Sequence, residues 1–165
     1  MTPRVVFDCM IFLQAAGRPA GPARACLQLV EVGRAMLYVS PDILSELRDV
    51  LNRPNVLRRF PLLTPDWNEH FVQNVESKAL LLTGVPKSVT IKRDPKDEPY
   101  VNLAIAISAD YLVSRDQDLL VLMNDEQFRQ RYPSLTILDP VTFLRTVAIS
   151  GSADGSDLAA TDGNI

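Results

Sequence analysis

An α/β fold, with a mostly parallel central sheet and helices on both of its faces, is what the alternation of short apolar runs and longer helix-patterned stretches predicts. Three observations carry that prediction. The runs Val5-Val6-Phe7, Met36-Leu37-Tyr38-Val39, Tyr111-Leu112-Val113 and Leu135-Thr136-Ile137-Leu138 are too short for helices and apolar almost throughout, as strands buried on both faces are. The stretches between them repeat apolar residues at helical spacing. Several of those stretches open on Ser, Thr or Asp followed by Pro, a pairing that starts helices.

Taken in order, Val5-Val6-Phe7 is the first strand and Asp8 ends it. Ala23 to Val32 sets Ala23, Cys26, Leu27, Leu29 and Val30 at near-helical spacing, with Gly33 as a stop. After the second strand, Ser40 caps a helix with Pro41 in its first turn. Ile43, Leu44, Leu47, Val50 and Leu51 form its core face, and Glu46 lies among them. Arg53-Pro54 breaks that helix, and Leu57 to Leu63 reads as a helical turn. Thr64 and Pro65 open a helix in which Trp67, Phe71, Val75, Ala79 and Leu82 recur about every four residues as far as Gly84. Val89-Thr90-Ile91 reads as a weak or edge strand. Pro99 suits the first turn of an apolar helix, Val101 to Ile107, whose entry is flanked by Asp97 and Glu98, where carboxylates are favoured. Asp110 precedes the strand Tyr111-Leu112-Val113. Leu119 to Met123 is a short helix, and Glu126 to Tyr132 a helical segment stopped by Pro133. The strand at 135–138 leads to Asp139-Pro140, which opens a last helix through Val147. From Ser150 onward Gly, Ser, Asp and Ala dominate, so 1–148 reads as one domain and 149–165 as a disordered tail.

A chain of 165 residues can bury roughly two-thirds of its unfolded surface in one core. Its 47% apolar and 22% charged residues are ordinary for a soluble protein. No apolar run approaches the ~20 residues of a membrane span, and no signal-peptide core precedes the first polar residues, so a cytoplasmic protein without a membrane partner is expected. Cys9 and Cys26, both in apolar surroundings, read as buried free thiols. A net charge of −3 argues mildly against nucleic acid, but a cluster of acids holding cations lowers the sum without describing the rest of the surface. The single histidine, His70, leaves zinc without ligands and argues against a Ser-His-Asp hydrolase. No G-x-S-x-G, G-x-G-x-x-G or Walker loop occurs. Cys9 has no basic neighbour in sequence to make it a nucleophile.

The acids remain. In parallel sheets, ligands bind outside the carboxyl ends of the strands. Asp8 and Asp116 follow strand ends, and Glu46 stands in the early turns after another. Asp97 opens the helix leading into the strand at 111–113, which on connectivity alone would put it at the opposite edge unless the preceding loop carries it across. Each acid has an ordinary alternative: Asp8 a loop residue, Asp97 and Asp116 helix caps, Glu46 a partly exposed helix residue. Asp118 reads as the cap of a helix start and Asp94 as a turn residue before Pro95. A carboxylate on the core side of a helix is costly unless something cationic meets it, and clustered carboxylates raise one another's pKa. A hard divalent ion, Mg²⁺ or Mn²⁺, answers both difficulties.

These residues, in this order, resemble the PIN-domain family, in the branch of toxin components of toxin–antitoxin systems related to VapC-type toxins. The carriers are Val5-Val6-Phe7-Asp8; Val39-Ser40-Pro41 with Ile43-Leu44 and Glu46-Leu47; Arg53-Pro54; Asp94-Pro95-Lys96-Asp97 with its apolar helix; Ala109 to Asp116; and Asp118-Leu119-Leu120. The resemblance spans Val5 to Val147. It implies a three-layer α/β/α sandwich whose acids gather at one end of the sheet, Asp97 included. Asp8, Glu46, Asp97 and Asp116 then match the family's metal-binding, catalytic quartet, with Ser114 and Asp118 as further participants. The implied activity is Mg²⁺- or Mn²⁺-dependent hydrolysis of RNA phosphodiesters, with Glu46 holding the attacking water or acting as base toward it. Arg93, Lys96 or Arg115 would engage flanking phosphates. The implied partners are an RNA substrate, a small antitoxin that silences the pocket, and a second copy of the chain, for which the helix around Trp67 to Leu82 is one available surface. One departure stands out: the family's usual Asn two residues after the first Asp is Met10 here. That motivates an alternative, a PIN-fold RNA-binding or regulatory module with weakened catalysis. A phosphotransfer receiver domain fits less well, since neither its acidic pair after the first strand nor its lysine at the last one is present.

Overall fold

A strand that runs straight into a buried helix opens the chain. β1 (Arg4–Phe7) is followed by α1 (Cys9–Gly17) and α2 (Pro22–Glu31), then β2 (Met36–Val39), α3 (Pro41–Leu51), α4 (Pro54–Arg59), α5 (Pro65–Lys78) and β3 (Leu80–Leu81). A 3₁₀ turn, Pro95–Asp97, leads into α6 (Glu98–Ala106) and β4 (Tyr111–Val113). After it come α7 (Gln117–Leu120), a second 3₁₀ turn (Val121–Asn124), α8 (Glu126–Arg131), β5 (Thr136–Leu138) and α9 (Pro140–Ser156). This computed structural model describes the backbone of residues 1–156 and side chains through residue 151.

The five strands form one sheet in the order β3-β2-β1-β4-β5, with every pair parallel. Val5 lies opposite Tyr111 and Phe7 opposite Val113, so these four side chains point to one face. Phe143 of α9 meets the rings of both Phe7 and Tyr111, at 6.2 and 5.6 Å between centroids. The other face, bearing Val6 and Leu112, is covered by α6, which packs on β1 and β4 with α3 beside it. Val5, Val6, Leu112 and Val113 are all fully buried, which is why these strands are apolar in both registers. The α/β sandwich expected from the alternation is therefore present, with a sheet that is parallel throughout.

Local chemistry sets the helix starts. Ser40 and Thr64 accept hydrogen bonds from the amides of Ile43 and Trp67, and Pro follows each cap. Several expectations need correction. α1 was not foreseen: Cys-Met-Ile-Phe-Leu-Gln-Ala-Ala-Gly is buried on nearly every side between neighbouring helices, so it shows no polar face. The helix expected to run to Gly84 ends at Lys78. Ala79 is extended, and Leu80 and Leu81 instead pair with Tyr38 and Val39 as β3, a strand missed because its leucines continue the helical spacing. Residues 89–91 form no strand. Their loop is held by side chains of α6: Asn102 Oδ1 accepts the amides of Ser88 and Val89, each at 3.0 Å, and Glu98 Oε1 accepts that of Ile91 at 2.8 Å. α4 begins at Pro54, earlier than the expected turn. α9 continues past the expected boundary at 148/149 as far as Ser156; the rest of the expected tail, 157–165, lies outside the described residues.

Candidate metal centre

The strand order reverses direction at β1, whose neighbours β2 and β4 are reached by connections leading opposite ways. Outside the carboxyl ends of β1 and β4 lies the crevice that such a reversal creates. Asp8 leaves β1 there and Ser114 leaves β4. Asp8 is buried and caps α1, its Oδ1 accepting from the amide of Ile11 at 3.1 Å. Its Oδ2 accepts a hydrogen bond from the hydroxyl of Ser114, which is wholly buried. Ser114 Oγ in turn accepts from the amide of Asp116 at 2.9 Å, so one hydroxyl ties together the two strand exits. Asp116, not Asp118, caps α7: its Oδ1 accepts from the amide of Asp118 at 2.8 Å. Asp118 sits inside that turn, with Nη1 of the exposed Arg93 at 3.7 Å from its Oδ1.

Asp97 joins them. The helix entering β4 runs antiparallel to the strands, so it starts at their carboxyl edge and ends at the other. Asp97 therefore stands with Asp94 and Asp116 rather than at the opposite edge, a placement that connectivity alone leaves open. Asp94, Asp97 and Asp116 each place one carboxylate oxygen within 4.8 Å of the others. Asp94 was read as a turn residue, and it does accept from the amide of Lys96 at 3.1 Å. The 3₁₀ turn Pro95–Asp97 that Asp94 caps brings its carboxylate round to that of Asp97 three positions on, which the turn reading alone does not reveal.

Asp97 is the anomaly. It is 8% exposed, caps nothing, and its Oδ2 has no hydrogen-bond partner. Burial, and then the charges of Asp116, Asp94, Asp8 and Asp118, push its carboxyl up to about 7. Burial also dominates at Asp8, partly offset by the hydrogen bonds from Ser114 and Ile11 and reinforced by the charge of Asp116; its carboxyl is pushed up to about 6. Two carboxyls thus resist ionisation because water is excluded and their neighbours are acids.

Glu46 stands apart from the three-acid group. It is half-buried on α3, and the group that meets it is not a cation, as expected, but the phenol of Tyr100 on α6, whose hydroxyl donates to Oε2 at 2.8 Å. Cys9, next to Asp8, adjoins the same pair, and burial with the charge of Glu46 pushes its thiol up to about 12. Cys9 and Cys26 are both free and buried. Exposed His70 donates from Nδ1 to the carbonyl of Asp66 on α5, at 2.8 Å, and is not part of the acid group. Arg93, Lys96 and Arg115 are exposed, each a residue from an acid of the site. Sequence reasoning missed Tyr100, for which the only signal was membership of an apolar helix.

A family model described as a PIN domain matches residues 4–118, a span that holds every acid just described. The chain belongs to the PIN-domain family. Among solved structures, this PIN domain is similar to a chain in the crystal structure of VapBC2 from Rickettsia felis bound to a DNA fragment from their promoter. The TM-score is 0.53 over 82% of this chain and 98% of that one, at 14% identity, which is a likeness of fold. Comparison with curated proteins gives no match. No helix among the described residues is long and apolar enough to cross a membrane.

The residues fit a hard divalent cation. All donors are oxygens, three carboxylates converge, and a buried carboxylate oxygen is left without a partner, which a cation would satisfy.

Proposed function

We propose that this PIN domain is a Mg²⁺- or Mn²⁺-dependent ribonuclease, the toxin of a toxin–antitoxin pair working in the cytoplasm. The observation that carries the reading is the buried, unpartnered Oδ2 of Asp97, on a carboxylate that places an oxygen within 4.8 Å of oxygens of Asp94 and Asp116 at the crevice between β1 and β4. Membership of a family of nucleases gives that geometry its chemistry. The similar Rickettsia felis chain comes from a VapBC2 complex, which supports a small antitoxin as the partner that covers the pocket. A second copy of the chain is a further proposed partner.

When bound, the cation offsets negative charge at the scissile phosphate and eases deprotonation of the attacking water. Asp94, Asp97 and Asp116 would hold it. Asp8 stands at the exit of β1, each of its oxygens keeping a lone pair beyond the hydrogen bond already accepted. Ser114 fixes Asp8 relative to Asp116, and Asp118 stands one turn behind. Glu46 approaches from α3 and takes the proton of the water as it attacks in line. Arg93, Lys96 and Arg115 steer the flanking phosphates, a contribution that weakens as salt rises.

Purified protein on labelled RNA, with Mg²⁺, Mn²⁺ or EDTA, beside Asp8→Asn and Asp97→Asn, tests this. Cleavage should require metal and vanish in both variants. Equal cleavage by all three proteins would mark a contaminant and remove the assignment. A second reading, a regulatory RNA-binding module with weakened catalysis, is favoured by Met10. It lies exposed in the first turn of α1 beside Asp8, and its thioether cannot offer the amide that the family's asparagine does. Met10→Asn should then raise metal affinity or cleavage, and no gain would leave that reading unsupported.

A further inference from the structure

Tyr100 lies in the first turn of α6, three residues beyond Asp97, which immediately precedes that helix. Its ring is 2% exposed, among the largest fully buried side chains of the core. A phenylalanine would fill that space equally well; what tyrosine adds is one hydroxyl, and a buried hydroxyl needs a partner. That partner is Glu46 Oε2, at 2.8 Å, on a different helix and 54 positions away. Among the described residues no cationic side chain pairs with Glu46, and no group donates to its Oε1. The buried hydroxyl is therefore the group that holds Glu46.

We propose that Tyr100 is a positioning residue, whose hydroxyl fixes Glu46 through Oε2 and leaves Oε1 directed to the water or metal side of the site. A glutamate has three rotatable side-chain bonds, and a free one at this half-buried place would spend much of its time elsewhere. The phenol holds it from the helix whose entry carries Asp97, so the start of α6 sets both the buried end and the α3 end of the acidic pocket. This inference rests on the ribonuclease reading given above and adds to it the residue that aims the base.

Tyr100→Phe keeps the ring and removes the hydroxyl. Mn²⁺ alone is titrated calorimetrically into the unaltered protein, Tyr100→Phe, Glu46→Gln, their double variant and Asp97→Asn. RNA cleavage is resolved into kcat and KM, and thermal unfolding checks that the ring has kept its place. Loss of a group that orients a metal-site carboxylate typically costs about 10–100-fold. Tyr100→Phe should lower kcat by that factor at unchanged KM and weaken Mn²⁺ binding, and the double variant should be no worse than Glu46→Gln alone. A role in packing alone would move the unfolding temperature and neither of the other readouts. Unaltered kcat and Mn²⁺ affinity in Tyr100→Phe, or losses that multiply in the double variant, overturn the inference. If they do so while Asp97→Asn loses Mn²⁺ and activity, the ribonuclease reading survives. If the unaltered protein neither binds Mn²⁺ nor cuts RNA, both fall.

Discussion

Two acid-rich places on this molecule use the same side chains to opposite effect. Between α3 and α5, Glu69 and Glu76 flank Arg48 at 3.4 and 2.8 Å, and Asp49 meets Arg53 at 2.7 Å; every one of these groups is more than 40% exposed. There each carboxylate has a cation beside it and water around it. At the carboxyl ends of β1 and β4, Asp8 and Asp97 are buried and Asp94 and Asp116 half-buried, and among the described residues none of the four takes part in an ion pair; Arg93 meets Asp118 instead. The first cluster is charge-paired as the chain folds. The second keeps a buried carboxylate oxygen of Asp97 without a partner, which a cation would satisfy. Acids in number do not suit a place to a metal; acids from which the fold withholds both water and arginine do.

Removing Asp97 should break the contrast most. With Mn²⁺ at about 100 times its Kd, the unaltered protein should gain about 2.7 kcal/mol of stability, and Asp97→Asn should gain almost none. Calorimetric unfolding with and without metal measures this, and an equal gain in the variant would remove Asp97 from the site. The same comparison run across pH sharpens it. Asp8 and Asp97 titrate at about 6 and about 7 in the fold against 3.8 unfolded. The folded state thus binds more protons, and its advantage, fully present below about 4, is lost as pH rises through 6 and 7. The metal-free protein should therefore weaken over that window, Asp97→Asn should weaken less, and Mn²⁺ should restore most of the loss above pH 7.

Ser114→Ala should cost about 1–3 kcal/mol in urea unfolding at pH 7. It strips the donor from buried Asp8 Oδ2 and the acceptor from the amide of Asp116. A neutral outcome would show that the two strand exits are held by packing alone. The smallest effect belongs to the outer cluster. Arg48→Ala should cost no more than about 1 kcal/mol, since exposed ion pairs contribute little, and should leave the Mn²⁺ response untouched. A shift in Mn²⁺ affinity there would mean the two clusters are coupled, and the contrast drawn here would not hold.

Much of the fold could be read residue by residue. Ser40-Pro41 and Thr64-Pro65 announce helices that do start there, and the strands at β1, β2, β4 and β5 lie where short apolar runs predict them. The failures share a cause. α1 lacks a polar face because helices enclose it, β3 borrows the spacing of the helix before it, and Ser88, Val89 and Ile91 give their amides to Asn102 and Glu98 rather than to a strand. In each case a partner outside the segment decides its conformation. Within the site, Asp8, Asp97 and Asp116 stood out by position after strands and before a helix, whereas Asp94 looked like an ordinary turn and Tyr100 like core.

By itself, the order of residues determined that strands and helices alternate, where most helices begin, and that acids recur at their junctions, because those are local matters of period, caps and proline. Only the tertiary structure decided that Asp94 stands with Asp97 and Asp116, that Glu46 is met by a phenol, and that one carboxylate oxygen is left buried without a partner. Those facts depend on which distant side chains reach a given point and on how much water they leave there, and no spacing along the chain records either.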